Sequence, residues 1–387
     1  MMAKAVKNSQ PASMMSILEN LRKSFGNDAI FSGDDEVLET ADVISTGSYA
    51  LDATIGIGGV PRGRITQLAG AEASGKTLLA LSIVKNWQAQ HPENWALWID
   101  AEYSFNQAWA KTLGVDVQRL TVISENLGSV IFNMLCGIPN TKNPEKKDKL
   151  GALDGFILQG DANRCGLIVI DSIAAIESPV EASYEVGKQN MAAMARFMPQ
   201  ALRRIAPLLN QANVALVAIN QLRVDPGVQY GNPETSPGGR AWKHFCRLMI
   251  NFAKVYNKDE LILNTDDEPI GHTVRAKIQK NSFAIPRDTK FVIKYLEGVA
   301  NHNVEMLDLA IKFGIVQRPN NVMYLYDDQK WKGRETAEEA FLDKKIFNDV
   351  WSKVKLAREQ SLVIEAKTAT KEALGINDTE EDLEEGE

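Results

Sequence analysis

The sequence predicts an α/β protein built on a mostly parallel sheet with helices on both faces, and three observations predict it. Apolar strand-like runs alternate with helical stretches from about residue 44 onward. A glycine-rich loop, Gly70 to Thr77, lies between one such run and a helix. Another run ends on a carboxylate, Asp171, as strands that feed a ligand crevice do.

Taken in order, the first element is a short amphipathic helix. Met14, Met15, Ile17, Leu18, Leu21 and Phe25 recur at helical spacing, with Ser13 placed as N-cap and Gly26 as stop. Residues 1–36 hold too little apolar material for a domain, so this segment must dock, either on its own core or on a neighbouring subunit. The core follows over 37–297, with strands expected at Arg64 to Ala69, Trp95 to Asp100, Leu120 to Ser124, Leu167 to Asp171 and Val214 to Asn220. Leu248 to Val255, Thr273 to Gln279 and Lys290 to Tyr295 have short connections and read as hairpin strands that extend the sheet. Two stretches interrupt the scheme. Pro139 to Arg164 is rich in Lys, Asp, Gly and Asn and reads as a surface insertion, and Arg223 to Gly239 is too long and too glycine-rich to be a mere connector. A smaller α+β segment fills 298–356, and a charged helix leads through 357–387 into an acidic tail.

Composition narrows the class. The chain has 387 residues, 44% apolar and 24% charged, which is ordinary for a folded globular protein of this size. No apolar run approaches the roughly 18 residues of a membrane span, and the first residues lack the apolar stretch of a signal peptide. Cys136, Cys165 and Cys246 share no CxxC spacing, which argues against a disulfide framework or a zinc ribbon and for a reducing, cytoplasmic setting. The formal charge of -7 is matched by the seven acids Asp378, Glu380, Glu381, Asp382, Glu384, Glu385 and Glu387, so the folded body is balanced and the overall acidity excludes no polyanionic partner.

Gly70, Ala71, Glu72, Ala73, Ser74, Gly75, Lys76 and Thr77 fit G-x-x-x-x-G-K-[ST] in the strand–loop–helix setting that motif needs. Backbone N–H groups of such a loop point at phosphate oxygens, the helix N-terminus adds positive partial charge, Lys76 adds a full charge for the β and γ phosphates of ATP, and Thr77 offers a hydroxyl to Mg²⁺. Asp171 after Leu167–Ile170 is the expected metal carboxylate, although an Asp at a strand end is more often a turn or cap. Glu102, just beyond the run Trp95 to Asp100, is the candidate general base; spacing alone leaves a solvated surface glutamate as the more common reading. Gln221, at the end of the run Val214 to Ile219, is placed to feel a γ phosphate and to pass its presence to the long loop.

At this point the runs Ile44–Asp52, Gly58–Ile65, Ile99–Glu102, Asn220–Arg223 and Tyr230–Thr235, with Gly238 and Gly239, resemble the RecA family of homologous-recombination ATPases over roughly Met14 to Val350. The resemblance implies a P-loop core, a small C-terminal domain and a head-to-tail helical filament around single-stranded DNA that pairs with homologous duplex DNA and exchanges strands. It implies Glu102 as water activator, Gln221 as γ-phosphate sensor, and Asn106, Trp109 and Tyr295 against the nucleotide base. It places two DNA loops at Glu181 to Met191 and Arg223 to Gly239, with Met191 and Val228 as wedges against bases and Arg196, Arg203, Arg223 and Arg240 on the phosphate backbone. It puts the N-terminal helix on the adjacent subunit and gives the tail an autoinhibitory role.

The chain also departs from the family pattern. Of two lysines expected to reach a neighbour's γ phosphate, the run Lys280-Asn281-Ser282 keeps only Lys280, and His244 stands where bacterial members have Phe. With the insertion, these departures suggest a diverged, bacteriophage-encoded member. Two other classes share part of the signature. A ring helicase would unwind duplexes but lacks reason for a docking helix, and a DNA scaffold that keeps ATP only as a structural ligand would leave Glu102 idle.

Overall fold

The computed structural model describes residues 42–373 except 144–145, 161–163, 184–190, 225–233, 236 and 256–259, together with Glu19 and Lys23. Of the expected helix at 13–26 only Glu19 and Lys23, both helical, are among the described residues, and the acidic tail at 378–387 lies outside them. The chain divides into two compact units, Met1–Asp42 and Val43–Glu387, and the second carries every strand among the described residues.

Within it, β1 (Val43–Ile44) and β2 (Val60–Pro61) pair around the helix Tyr49–Ile55. β3 (Ile65–Gly70) leads into the helix Lys76–Gln90, β4 (Trp95–Asp100) into the helix Gln107–Thr112, and β5 (Leu120–Ser124) into the helix Gly128–Cys136. A hairpin of β6 (Ile138–Pro139) and β7 (Lys147–Lys149) and the helix Ala152–Gln159 precede β8 (Cys165–Asp171). The long helix Met191–Gln211 leads to β9 (Ala215–Gln221). β10 (Arg223–Val224) and β11 (Glu234–Thr235) pair antiparallel, so the ends of the glycine-rich loop meet before the helix Gly239–Phe245. β12 (Cys246–Lys254), β13 (Leu261–Leu263), β14 (Pro269–Asn281), β15 (Asp288–Lys294) and β16 (Gly298–Ala300) complete a ten-stranded sheet.

The sheet order is β16-β15-β14-β12-β3-β9-β8-β4-β5, with β13 on β14. From β12 to β5 every pairing is parallel, whereas β14, β15 and β16 add on antiparallel, as the short connections predict. The parallel strands are apolar on both faces because side chains alternate sides and both sides are covered. Leu167 and Val169 join Trp98, Val217, Leu79 and Ile83 in one buried layer, and Ile168 and Ile170 join Ile99, Leu216, Met198 and Leu202 in the other. A third core, with Met306, Leu309, Tyr324, Trp331 and Val354, gathers the helix His302–Lys312, the hairpin β17 (Met323–Tyr326) and β18 (Gln329–Lys332), and the helices Arg334–Ala340 and Lys344–Ala373.

One expectation needs correction. Segment 139–164 is not wholly a surface insertion: Leu153 and Phe156 are buried in the second layer beside Ile131, Phe132 and Met198. Its base is fixed by Lys147, whose Nζ reaches Asp154 at 2.5 Å and the Cys136 carbonyl at 2.7 Å. The three cysteines are buried, and burial pushes their thiols up to about 11 or 12, which favours the protonated thiol over the thiolate.

Candidate functional site

β3 is central, and the chain leaves it for β4 across β9 and β8, so the C-terminal ends of these strands open on one crevice at a topological switch point. Gly70 lies opposite Gln221, and Asp100 opposite Asp171, which brings four of the expected residues or their neighbours to one edge. At Gly70 a Cβ would come within 2.5 Å of the Phe252 carbonyl oxygen and 2.7 Å of Ser74 Oγ, so only glycine lets the loop turn there. Gly75, at φ 92°, caps the helix Lys76–Gln90 in the left-handed region, where a side chain is strained. The loop thus leaves its N–H groups and the helix start facing the crevice.

Lys76 is 8% exposed, and its Nζ donates to the Ala71 carbonyl at 2.6 Å. Burial lowers its ammonium below the ordinary value, while Asp171, Glu102 and Glu72 pull it back. Thr77 Oγ1 donates to Asp171 Oδ2 at 3.1 Å. Burial, then the charges of Glu102 and Asp100, push the Asp171 carboxyl up to about 6 against the Thr77 hydrogen bond. A hydroxyl and a carboxylate side by side, with excess negative charge around them, fit a hard divalent cation that keeps water and phosphate as its other ligands.

Glu102 is exposed, and its Oε1 accepts from Ser172 Oγ at 2.5 Å and from Gln221 Nε2 at 3.3 Å. Asp100 accepts from the N–H groups of Ser104 and Phe105, each at 3.0 Å, and so shapes the turn that delivers Asn106. Asn106 caps the next helix through Trp109 N, and Trp109 Nε1 donates to the Tyr295 carbonyl at 2.8 Å. The Tyr295 hydroxyl lies 3.3 Å from His272 Nδ1. The three residues expected at the base therefore meet on one wall.

Lys280 is not brought to this crevice: its Nζ donates to the Lys243 and His244 carbonyls, at the end of β14 that pairs with the start of β12. Arg196 and Arg203 are exposed and seven residues apart on the helix Met191–Gln211, hence on one face, and no ion pair is described for either. Gly238 is buried and Gly239 exposed. Val228 lies outside the described residues, as do the side chains of Met191, Arg223 and Arg240. Sequence reasoning misses Ser172 and Asp100, which the runs Asp171-Ser172 and Ile99–Glu102 signal by adjacency, and Gln67, Trp242 and His272, for which no local signal exists.

A phosphate-cradling loop at a helix start, a hydroxyl–carboxylate pair and a held glutamate on a parallel sheet define a P-loop nucleoside triphosphatase. The RecA N-terminal domain model matches residues 12–300. Protein RecA of Chloroherpeton thalassium is 33% identical over 352 residues, 90% of each chain. That of Thermus aquaticus is 33% identical over 356 residues, 92% of this chain and 96% of its own, and that of Bifidobacterium breve 34% identical over 346 residues, 89% and 81%. The chain belongs to the RecA family, and its function is that of a recombinase that exchanges strands in DNA recombination and repair. The family binds ATP with Mg²⁺, acts on DNA and forms filaments. Among the described residues no helix is long and apolar enough to cross a membrane.

Proposed function

We propose that this chain couples ATP hydrolysis to strand exchange, in a filament on single-stranded DNA, through the residues gathered at the C-terminal edge of its sheet. The observation that carries the reading is the contact of Glu102 with Gln221 beside Thr77 and Asp171. Lys76 and the N–H groups of Gly70 to Thr77 hold the phosphates; Thr77 and Asp171 hold Mg²⁺. When bound, Mg²⁺ supplies positive charge that offsets the charge building on the phosphate oxygens. Glu102, with one oxygen fixed by Ser172 and Gln221, offers the other to the proton of an attacking water. Asn106, Trp109 and Tyr295 take the base, and stacking on the indole favours a planar ring.

On the DNA side, the exposed arginines Arg196 and Arg203, with Arg223 and Arg240, neutralise backbone phosphates without reading base edges, and Met191, Val228, Gly238 and Gly239 complete the loops that grip the strand. Residues 1–36 dock on the next subunit, Lys280 reaches the neighbouring nucleotide, 37–297 form the ATPase core, 298–356 a small C-terminal domain, and 357–387 a charged helix and an acidic regulatory tail. The test is ATP turnover with and without single-stranded DNA. Turnover should rise several-fold with DNA and the rise should shrink with salt, because phosphate contacts release counterions. An unchanged rate would sink the reading.

A further inference from the structure

Gln67 lies in the middle of β3 and is fully buried, a costly place for an amide that touches no substrate. Its Oε1 accepts from Trp242 Nε1 at 2.5 Å and from Asn220 Nδ2 at 3.2 Å. Asn220, also fully buried, uses its Nδ2 a second time on the Pro237 carbonyl at 2.9 Å, and its Oδ1 accepts from the Gln221 N–H at 3.0 Å. Gln221 in turn holds Glu102. The amide orientation of Gln67 is forced, since two donors already converge on its oxygen and a flipped amide would set N–H against N–H. Among the described residues its buried Nε2 has no partner.

These bonds join two places that local sequence keeps apart. Pro237 and Gly238 end the segment that begins at Arg223, and a Cβ on Gly238 would come within 3.0 Å of Trp242 Cβ, so the exit of that segment rests on the indole. Asn220 has both amide hydrogens and its oxygen committed, which means that Pro237 cannot shift without disturbing Asn220 or releasing Gln67. Gln67 sits on the central strand and accepts from both branches. Building on the function proposed above, we infer that Gln67 is a positioning residue for DNA-stimulated turnover: it anchors Asn220 and Trp242 so that a DNA-driven shift of Pro237 reaches Gln221 and Glu102.

The experiment compares Gln67→Met, Gln67→Glu and Trp242→Phe in the full chain, reading kcat and KM for ATP with and without single-stranded DNA. Gln67→Met removes the acceptor at similar volume and should leave DNA-free turnover and KM within about twofold while the several-fold stimulation by DNA collapses to less than about twofold, a loss at the low end of typical coupling strengths. Gln67→Glu keeps the acceptor oxygen and should restore most of the stimulation. Trp242→Phe, which severs only one branch, should lower the factor part-way and serves if Gln67→Met does not fold. Equal stimulation in the wild type and in Gln67→Met or Trp242→Phe would overturn the inference, as would a parallel loss of basal and stimulated rates, which marks a purely structural role. A wild type that DNA does not stimulate would overturn the underlying function and this inference with it.

Discussion

Replacing Glu102 by Gln removes one proton acceptor and little else. Ser172 and Gln221 both donate to Oε1, and a glutamine oxygen can take the same two bonds, so the side chain should stay where it is. Its other terminus then presents an amide, which cannot accept a proton from water. A positioned general base accounts for about 10²–10⁴ in rate, which at 1.36 kcal/mol per tenfold is about 3–5 kcal/mol of barrier. The loss should fall on kcat. KM for ATP should stay within about threefold, since Lys76, Thr77 and the loop N–H groups are untouched. Stability should move by less than about 0.5 kcal/mol because the residue is exposed. Single-turnover hydrolysis at saturating ATP measures the chemical step, and nucleotide binding is read separately by tryptophan fluorescence. A kcat within threefold of the wild type would refute Glu102 as the base; a large rise in KM with kcat unchanged would recast it as a binding group.

Other perturbations separate the remaining roles. Lys76→Ala should lower turnover by about 10²–10³, the usual loss for one preorganised donor at a developing charge, with the thermal midpoint almost unchanged; normal hydrolysis by that variant would remove the phosphate assignment. Glu305 is a test of pH dependence. Its carboxylate accepts from Ser48 Oγ and from the N–H groups of Tyr49 and Ala50 at the start of the helix Tyr49–Ile55, and burial, reinforced by Asp52, holds its carboxyl up at about 7 against an ordinary 4.5. The native chain keeps a proton there that the unfolded chain gives up. Its contribution is therefore complete below about pH 4.5 and is lost as pH rises through about 7, at up to about 1.4 kcal/mol per pH unit. Glu305→Gln should flatten that decline in denaturation curves, and a wild-type stability that climbs between about pH 5 and 8 would contradict the assignment.

The parts of the fold that sequence reveals are those whose cause is local. Leu167 to Ile170 are apolar without alternation because both faces of β8 are covered, and Gly70 to Thr77 carry their own geometry, so strand, loop and helix could be placed from residues alone. Glu102 and Asp171 could be proposed but not paired, since their meeting depends on the register of β4 against β8. Ser172, which fixes Glu102, reads in sequence as an ordinary residue after a strand. Gln67 and Trp242 are 175 positions apart and share one hydrogen bond, which no periodicity can signal. The segment reads as a surface insertion for a compositional reason: Leu153 and Phe156, which tie it to the core, are diluted among lysines, glycines and asparagines.

That placement of Leu153 and Phe156 carries a practical lesson about editing this molecule. Cutting 139–164 out would strip two large side chains from the packing around Ile131 and Met198 and open a void, costing about 2–5 kcal/mol for each. Lengthening it is another matter. Thr141, Lys142 and Asn143 are exposed at the turn of the hairpin, where the Asn140 side chain accepts from the N–H groups of Lys142 and Asn143, and extra residues or a fluorophore grafted there would ride outside the fold. The segment can be decorated at its tip but not excised at its root.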